Sequence, residues 1–192
     1  MLLAQIFMEG SNESDHWAAH EKTGFFGAQG AGCLFFATNT GRFLIAHRSN
    51  NPPPYNVEQP GTWGTFGGAM DRAETPDQAV RREVYEECGY TGSMELVPLH
   101  VFKKGTFSYY NFLAVVNDEF DPELNWETQG YRWCKLGKWP SPLHFGLNVL
   151  FNDPASMATM KRFARASQIA AAPAGSRRTG SSPRRSTNTL RA

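Results

Sequence analysis

Three glutamates, Glu83, Glu86 and Glu87, are spaced three and four residues apart in the middle of the chain. On a helix, which turns by about 100° per residue, this spacing brings the three carboxylates to one edge. Like charges placed in this way repel each other by about 0.2–0.5 kcal/mol per pair unless a cation neutralises them. Mg²⁺ commonly binds through a few carboxylates together with the phosphate oxygens of a substrate. The spacing therefore indicates a metal site for phosphate chemistry, and the alternative is a solvated acidic face balanced by Arg81 and Arg82.

Capping signals on both sides of these glutamates define the helix that would carry them. Thr75 and Gln78 form a Thr-x-x-Gln capping box, in which each side chain accepts a hydrogen bond from the other residue's backbone. Pro76 suits the first helical position, and Gly89 suits the position that ends the helix. The sequence therefore predicts a helix over residues 76–88.

The stretch from Gly67 to Tyr90 resembles the Nudix box. That motif consists of Gly, five residues, Glu, seven residues, Arg-Glu, an aliphatic residue, any residue, Glu-Glu, any residue, Gly and an aliphatic residue. Tyr90 replaces the final aliphatic residue, and Phe66 stands where many members have Pro. The remaining positions match as Gly68, Glu74, Arg82, Glu83, Val84, Glu86, Glu87 and Gly89. The resemblance implies an α/β fold, namely a Nudix-type α/β/α sandwich with a mixed β-sheet.

The resemblance also implies roles for the residues of the box. Mg²⁺, or Mn²⁺ as a substitute, would be bound by the backbone carbonyl of Gly67 and by the carboxylates of Glu83, Glu86 and Glu87. Arg82 would orient these ligands together with Glu74. The residues that would keep the box in shape are Gly68, Glu74 and Gly89.

The base that activates water is either a box glutamate or an acid from a later loop, for which Glu127 is the candidate. Arg48 could contact a phosphate, and Trp63 and His144 could contact a nucleobase. The alternatives are an ordinary surface acid for Glu127, a surface arginine for Arg48, and core aromatic residues.

The implied function is Mg²⁺-dependent hydrolysis of a nucleoside diphosphate linked to another moiety. A nucleotide pyrophosphohydrolase for (d)NTPs or oxidised nucleotides is favoured. The alternatives are hydrolysis of ADP-ribose or dinucleoside polyphosphates, a 5′-pyrophosphohydrolase or decapping activity on RNA, and a non-catalytic nucleotide-binding module. Such modules usually lose box glutamates, whereas this chain keeps all four.

Other elements must hold the predicted helix in place. Two apolar runs around the turn signal at residues 39–41 indicate a hairpin, and prolines in residues 50–61 indicate a long loop. Further strands are predicted over residues 94–102, 107–116 and 131–136, and further helices over residues 143–151 and from the Asp153-Pro154 pair to about residue 170.

Composition suggests how the chain is divided. Five of its 19 basic residues follow residue 172, in a segment without acids that is rich in Ser, Thr, Gly and Pro. We therefore predict an N-terminal extension (1–29), a catalytic domain (30–152), a C-terminal helix (153–172) and a disordered basic tail (173–192). Nucleic-acid binding through the tail is an alternative that we do not favour.

Three widely spaced cysteines, no long apolar run and no secretion signal favour a cytoplasmic protein with reduced thiols and no membrane association. The expected partner is a small nucleotide substrate, and the expected oligomeric state is a monomer or homodimer.

Overall fold

The computed structural model describes residues 14–50 and 59–171. A helical segment, α1, covers residues 14–23. The other helices are α2 (Pro76–Cys88), α3 (Phe145–Asn152) and α4 (Pro154–Ala171). The strands are β1 (Gln29–Ala37), β2 (Arg42–Arg48), β3 (Trp63–Gly64), β4 (Phe66–Ala69), β5 (Glu95–Lys104), β6 (Phe107–Val116) and β7 (Thr128–Lys135).

All seven strands belong to one mixed sheet with β1 at its centre. β6 runs parallel to β1 along its whole length, and β5 pairs antiparallel with β6. On its other side β1 pairs antiparallel, first with β4 through residues 30–33 and then with β2 through residues 35–37. β3 and β7 each pair antiparallel with β2. The sheet is mixed, as the sequence predicted.

Side chains of β1 alternate between two hydrophobic cores, as expected for a strand buried on both faces. Cys33 and Phe35 join the core that packs against α2. Leu34 and Phe36 join the core that packs against α3 and α4. Helices therefore cover both faces of the sheet, and the predicted α/β/α sandwich is confirmed.

The predicted helix over residues 76–88 is confirmed together with its caps. The backbone N–H of Gln78 donates to Thr75 Oγ1 at 3.3 Å, and the backbone N–H of Thr75 donates to Gln78 Oε1 at 2.9 Å. Gly89 ends the helix in the left-handed region with φ of 65°, where glycine avoids the steric cost of a Cβ atom. Local sequence signals are sufficient to fix both ends of this element.

Other elements differ from prediction at their boundaries. β5 extends beyond the predicted end at residue 102, since Lys103 and Lys104 pair with Ser108 and Phe107. β7 begins at residue 128, and α3 begins at residue 145 because the preceding histidine caps it.

The α1 helix was not predicted. Its side chains pack against Phe26, whose ring lies edge-on to His16 at 5.1 Å and to Trp17 at 5.2 Å. This helix is thus supported by contacts with residues that follow it in the chain.

Part of the predicted proline-rich loop, residues 51–58, and the predicted tail, residues 173–192, lie outside the described residues. In the described part of the chain, none of the helices combines the length and apolar character needed to cross a bilayer.

Candidate active site

The acidic edge of α2 faces the sheet at β4. Ala79, Val80 and Val84 are fully buried, and they fix the rotation of the helix about its axis. This rotation turns Glu87 inward, where the residue is only 5% exposed. Its Oε2 accepts a 2.9 Å hydrogen bond from the backbone N–H of Gly67.

Two glycines of β4 allow the backbone to approach these carboxylates. Gly67 has φ of 146°, and a Cβ atom there would lie 2.3 Å from the Cα of Gly32. A Cβ atom on Gly68 would lie 2.7 Å from Oε1 of Glu83. Gly67 requires glycine because the added atom would clash with backbone, whereas a Cβ atom on Gly68 would force the carboxylate of Glu83 out of its present position.

Arg82 connects the box residues through its planar guanidinium. Its Nε and Nη2 donate to the two carboxylate oxygens of Glu74 at 2.9 and 3.0 Å, a paired arrangement that an arginine fork favours. Nη1 donates to Glu83 at 2.8 Å and to Glu86 at 3.1 Å. Nη2 also donates to the carbonyl of Ala69 at 2.9 Å. The hydrogen bond from Arg82 lowers the pKa of Glu74.

Burial makes ionisation of the inner carboxylates costly. It raises the pKa of Glu83 to about 7, although the charge of Arg82 opposes the rise. Burial, with the nearby charges of Glu83 and Glu127, also raises the pKa of Glu87 well above its usual range. A bound cation would reverse both effects, because it favours the ionised form of each carboxylate.

Glu127 lies beside the same cluster, on a loop attached to the end of α2. The backbone N–H of Asn125 donates to the carbonyl of Glu87 at 3.2 Å, and the Asn125 side chain accepts from the backbone N–H of Glu127 at 2.9 Å. Burial raises the pKa of Glu127, whereas the charge of Arg48 lowers it. The structure thus brings Arg48 and Glu127 to the box glutamates.

The donor chemistry of this cluster fits a hard divalent cation, since it consists of carboxylates beside a close backbone segment. Among residues 14–50 and 59–171, however, no three histidine, cysteine, aspartate or glutamate side chains are arranged to hold a metal ion together. Arg82 supplies the positive charge instead, because it bridges Glu83 and Glu86. Metal binding would therefore require Glu86, whose side chain is 51% exposed, to turn away from Arg82.

The two aromatic candidates for substrate contact have structural partners. Trp63 stacks on His47 with ring centroids 4.3 Å apart and packs against the core beneath α3 and α4, away from α2. His144 caps α3 by accepting a 3.2 Å hydrogen bond from the backbone N–H of Gly146 on Nδ1. Burial and the charge of Arg48 lower the pKa of His144 to about 4. His144 therefore lies near Arg48, and the ring of Trp63 is held between His47 and the second core.

An aromatic groove of about 510 Å³ was not predicted. Its walls include Phe25, Phe102 and Phe145, with His20 and Lys104 among the polar residues at its edge. These residues come from α1 and the turn after it, β5 and the start of α3. The sequence shows that Phe102 and Lys104 lie on one face of β5. No local pattern in the sequence, however, predicts their contact with the N-terminal segment.

Tyr109 of β6 is a further residue near the cluster. Its ring occupies the space left by Gly30 and Gly32, where added Cβ atoms would lie 2.6 and 2.2 Å from ring and hydroxyl atoms. Burial and the charges of Glu87 and Glu83 raise its pKa. Its hydroxyl lies beside Gly67, where an added Cβ atom would come within 2.7 Å of it.

Comparison with known proteins identifies the family to which this chain belongs. A family model described as the NUDIX domain matches residues 28–151. The chain belongs to the Nudix family. It is a Nudix hydrolase, an enzyme that cuts pyrophosphate linkages, and such hydrolases generally use divalent metal ions.

Two relatives show the range of similarity of this Nudix protein. It is 26% identical to the nucleoside triphosphatase NudI of Escherichia coli O81 (strain ED1a), over 58% of this chain and 83% of NudI. It is 28% identical to the putative 8-oxo-dGTP diphosphatase 3 of Mycobacterium tuberculosis (strain CDC 1551 / Oshkosh), over 70% of this chain and 65% of that protein.

Two crystal structures share the fold. The MutT NUDIX hydrolase from Burkholderia pseudomallei superposes with a TM-score of 0.51 at 22% identity, covering 67% of this chain and 98% of that one. The NUDIX domain of Shewanella oneidensis NrtR, complexed with ADP ribose, superposes with a TM-score of 0.53 at 18% identity. The superposition covers 70% of this chain and 87% of the NrtR domain.

Proposed function

We propose that this Nudix hydrolase is a Mg²⁺-dependent pyrophosphohydrolase of nucleoside triphosphates, including oxidised ones. The observation that carries the proposal is the buried carboxylate pair of Glu83 and Glu87 against the glycine backbone of β4, since it provides oxygen ligands that a cation would stabilise. The names of the relatives, a nucleoside triphosphatase and a putative 8-oxo-dGTP diphosphatase, support the substrate class.

The metal would be held by Glu83, Glu86 and Glu87 with the carbonyl of Gly67. When bound, Mg²⁺ would neutralise phosphate charge and lower the pKa of a coordinated water. Arg82 holds Glu83 in place through its bonds to Glu74 and Glu83, so it orients a ligand without contacting the substrate.

Glu127 is the residue proposed to accept the proton of the attacking water. Its pKa is raised by burial, which brings a carboxylate closer to the neutral range in which a general base works best. The charge of Arg48 lowers the pKa of both Glu87 and Glu127, so this arginine is close to the carboxylates and is the residue proposed to bind a substrate phosphate.

The aromatic groove gives the substrate's base a place to bind. Stacking on aromatic rings is worth about 1–3 kcal/mol per base and tolerates any nucleobase. Discrimination between a nucleotide and a base-free diphosphate must come from such contacts, because the glutamates and a metal bound to them would contact only the phosphates. The volume of about 510 Å³ lies in the range of small-molecule sites.

The first prediction concerns Glu87→Gln, which keeps an acceptor for the N–H of Gly67 and removes the buried charge. We expect kcat to fall by at least about a hundredfold, because a metal ligand is lost. The melting temperature in metal-free buffer should stay equal or rise, because folding no longer has to raise the pKa of a buried carboxyl group. The measurements are Mg²⁺-dependent hydrolysis and thermal unfolding with a chelator present.

Glu95→Gln is the matched control, since it removes one exposed acid from β5. Hydrolysis is measured over nucleoside triphosphates, 8-oxo-dGTP, ADP-ribose, dinucleoside polyphosphates and capped RNA, with Mg²⁺ or Mn²⁺. Near-normal turnover in Glu87→Gln contradicts the metal assignment, and a preference for one of the last three substrates contradicts the triphosphate proposal.

A further inference from the structure

We propose that the segment preceding the Nudix domain completes the nucleotide site, with Phe25 stacking on the base and Lys104 selecting a keto purine. The family model begins at residue 28, so this segment lies outside the part of the chain that the family accounts for. The inference rests on the proposed function, because it names the base that the same site would accept.

Phe25 is built into the aromatic groove. Its ring stacks on Phe107 with centroids 4.4 Å apart and planes inclined by 11°. It also contacts Phe102 and Phe145, each with a centroid distance of 5.9 Å. Phe25 therefore links strands β5 and β6 to the start of α3, while the ring stays half-buried and lines the groove.

The segment that carries Phe25 is docked on the domain. The backbone N–H of Gly24 donates to the carbonyl of His20 at 2.8 Å, and that of Gly27 donates to the carbonyl of His16 at 3.2 Å. Gly24 has φ of 76°, which lets the chain turn sharply after α1. An ion pair between Asp15 and Arg72 ties α1 to the loop before α2.

Lys104 gives the groove a chemical preference. Its Nζ lies over the Phe25 ring, 5.1 Å from the ring centroid, in a cation–π contact. Because Phe107 covers the other face of that ring, a base that stacks on Phe25 would displace the Lys104 ammonium toward the edge of the base. A lysine ammonium donates up to three hydrogen bonds and accepts none. Guanine presents two acceptors, O6 and N7, on one edge, whereas adenine presents an acceptor and an amino donor there. Lys104 therefore favours guanine and its oxidised forms over adenine.

The groove is connected to the carboxylates through neighbouring residues. The Phe145 ring lies 4.8 Å from the His144 ring. His144 and Arg48 are neighbours, because a Cβ atom on Gly64 would lie 3.7 Å from Cβ of His144 and 3.5 Å from Cδ of Arg48. Arg48 in turn acts on Glu87 and Glu127. The groove and the carboxylates are thus joined through His144 and Arg48, and a phosphate of a base bound at Phe25 would meet Arg48 first.

Equilibrium binding of GMP and AMP to the full chain tests the inference without requiring hydrolysis. For Phe25→Leu, which keeps apolar bulk but removes the ring, we expect both dissociation constants to rise by about tenfold. Phe25→Trp keeps a stacking surface and should bind both nucleotides within about threefold of wild type. Isothermal titration calorimetry provides the constants, and circular dichroism confirms that each variant is folded.

Lys104→Ala should reduce the preference for GMP over AMP by about fivefold or more, because one favourable hydrogen bond to the base edge is lost. Lys103→Ala is the matched control. It removes the same charge from the adjacent residue of β5, which does not line the groove, and should leave the preference unchanged.

The outcomes separate this inference from the proposed function. Wild-type binding of GMP by Phe25→Leu overturns the inference, while hydrolysis of nucleoside triphosphates by the same protein leaves the proposed function intact. GMP binding that depends on Phe25 in a chain that cuts no nucleoside triphosphate supports the nucleotide site and overturns the proposed activity. An equal preference in Lys104→Ala and wild type overturns the keto-purine selection.

Discussion

Arg82 is the cation that the acidic edge of α2 already contains. Its guanidinium meets Glu74 through two parallel hydrogen bonds and reaches Glu83 and Glu86 with its remaining nitrogen. The residue thus does two things at once. It offsets like-charge repulsion along the helix, and it sets the orientation of the carboxylate that lies nearest to Gly68.

Arg82→Lys tests whether this geometry matters beyond the charge. A lysine keeps the positive charge but lacks the planar fork, so it cannot bind Glu74 and Glu83 together. We expect kcat to fall by about tenfold or more and the Mg²⁺ concentration for half-maximal activity to rise. Arg81→Lys is the control, because Arg81 donates to the carbonyl of Met94 instead. Equal activity of the two variants would show that charge alone is sufficient.

The residues of the site differ in how far the sequence predicts them. The box glutamates, Arg82 and the two glycines are identified because they lie on α2 and on β4 just before it, where the spacing along the chain determines which residues come into contact. Phe25 and Lys104 were missed, because the groove is formed by segments about 80 residues apart in the chain. Only the folding of the sheet brings those segments together.

At the scale of secondary-structure elements, the start of α3 depends on a half-buried histidine. His144 Nδ1 accepts from the backbone of Gly146, so the proton of the neutral ring is on Nε2. Within the described residues that nitrogen is buried and has no hydrogen-bond partner. Protonation would place a second N–H at the position that now accepts the capping bond, so the neutral ring is required for this helix start.

His144→Asn tests this pH dependence, since asparagine also caps helices and does not titrate. The pKa of His144 is lowered from 6.5 to about 4. The unfolded chain therefore takes up a proton first as the pH falls, and stability is lost between pH 6.5 and about 4. We expect the variant to lose less stability than wild type over this interval, as measured by urea unfolding. Parallel stability curves for the two proteins would contradict this role of His144.

The elements themselves were predicted well where their signals are local. The capping box and Gly89 gave both ends of α2, and apolar runs around a turn gave the β1–β2 hairpin. The α1 helix was missed because Trp17 and His16 are supported by Phe26, a contact formed only after the chain turns back.

At the scale of the whole molecule, the glutamate cluster lies next to one of the two hydrophobic cores and not the other. The core under α2 lies against the site, whereas the core under α3 and α4 lies on the opposite face of the sheet. Met160 of α4 is fully buried in that second core. This second core contains none of the glutamates of the α2 cluster.

Met160→Ala should lower the free energy of unfolding by about 2–5 kcal/mol, because it removes buried atoms and leaves a cavity. Turnover at temperatures well below the melting point should stay within about twofold of wild type, since the two cores share only the sheet. Urea unfolding and steady-state kinetics provide the two values. A large loss of kcat in the folded variant would show that the cores are coupled.

The position of β1 between the two cores has a consequence for how this chain can vary. Each core tolerates exchanges of one apolar residue for another of similar size, because packing depends mainly on volume and polarity.

Inserting or deleting one residue within β1 would have a different effect. Every side chain beyond that point would switch faces, so Phe35 would enter the core of Phe36 and the reverse. Gly32, which faces Gly67 across the β1–β4 pair, would also leave its place. The length of this strand is therefore a stricter constraint on the protein than the identity of most of its residues.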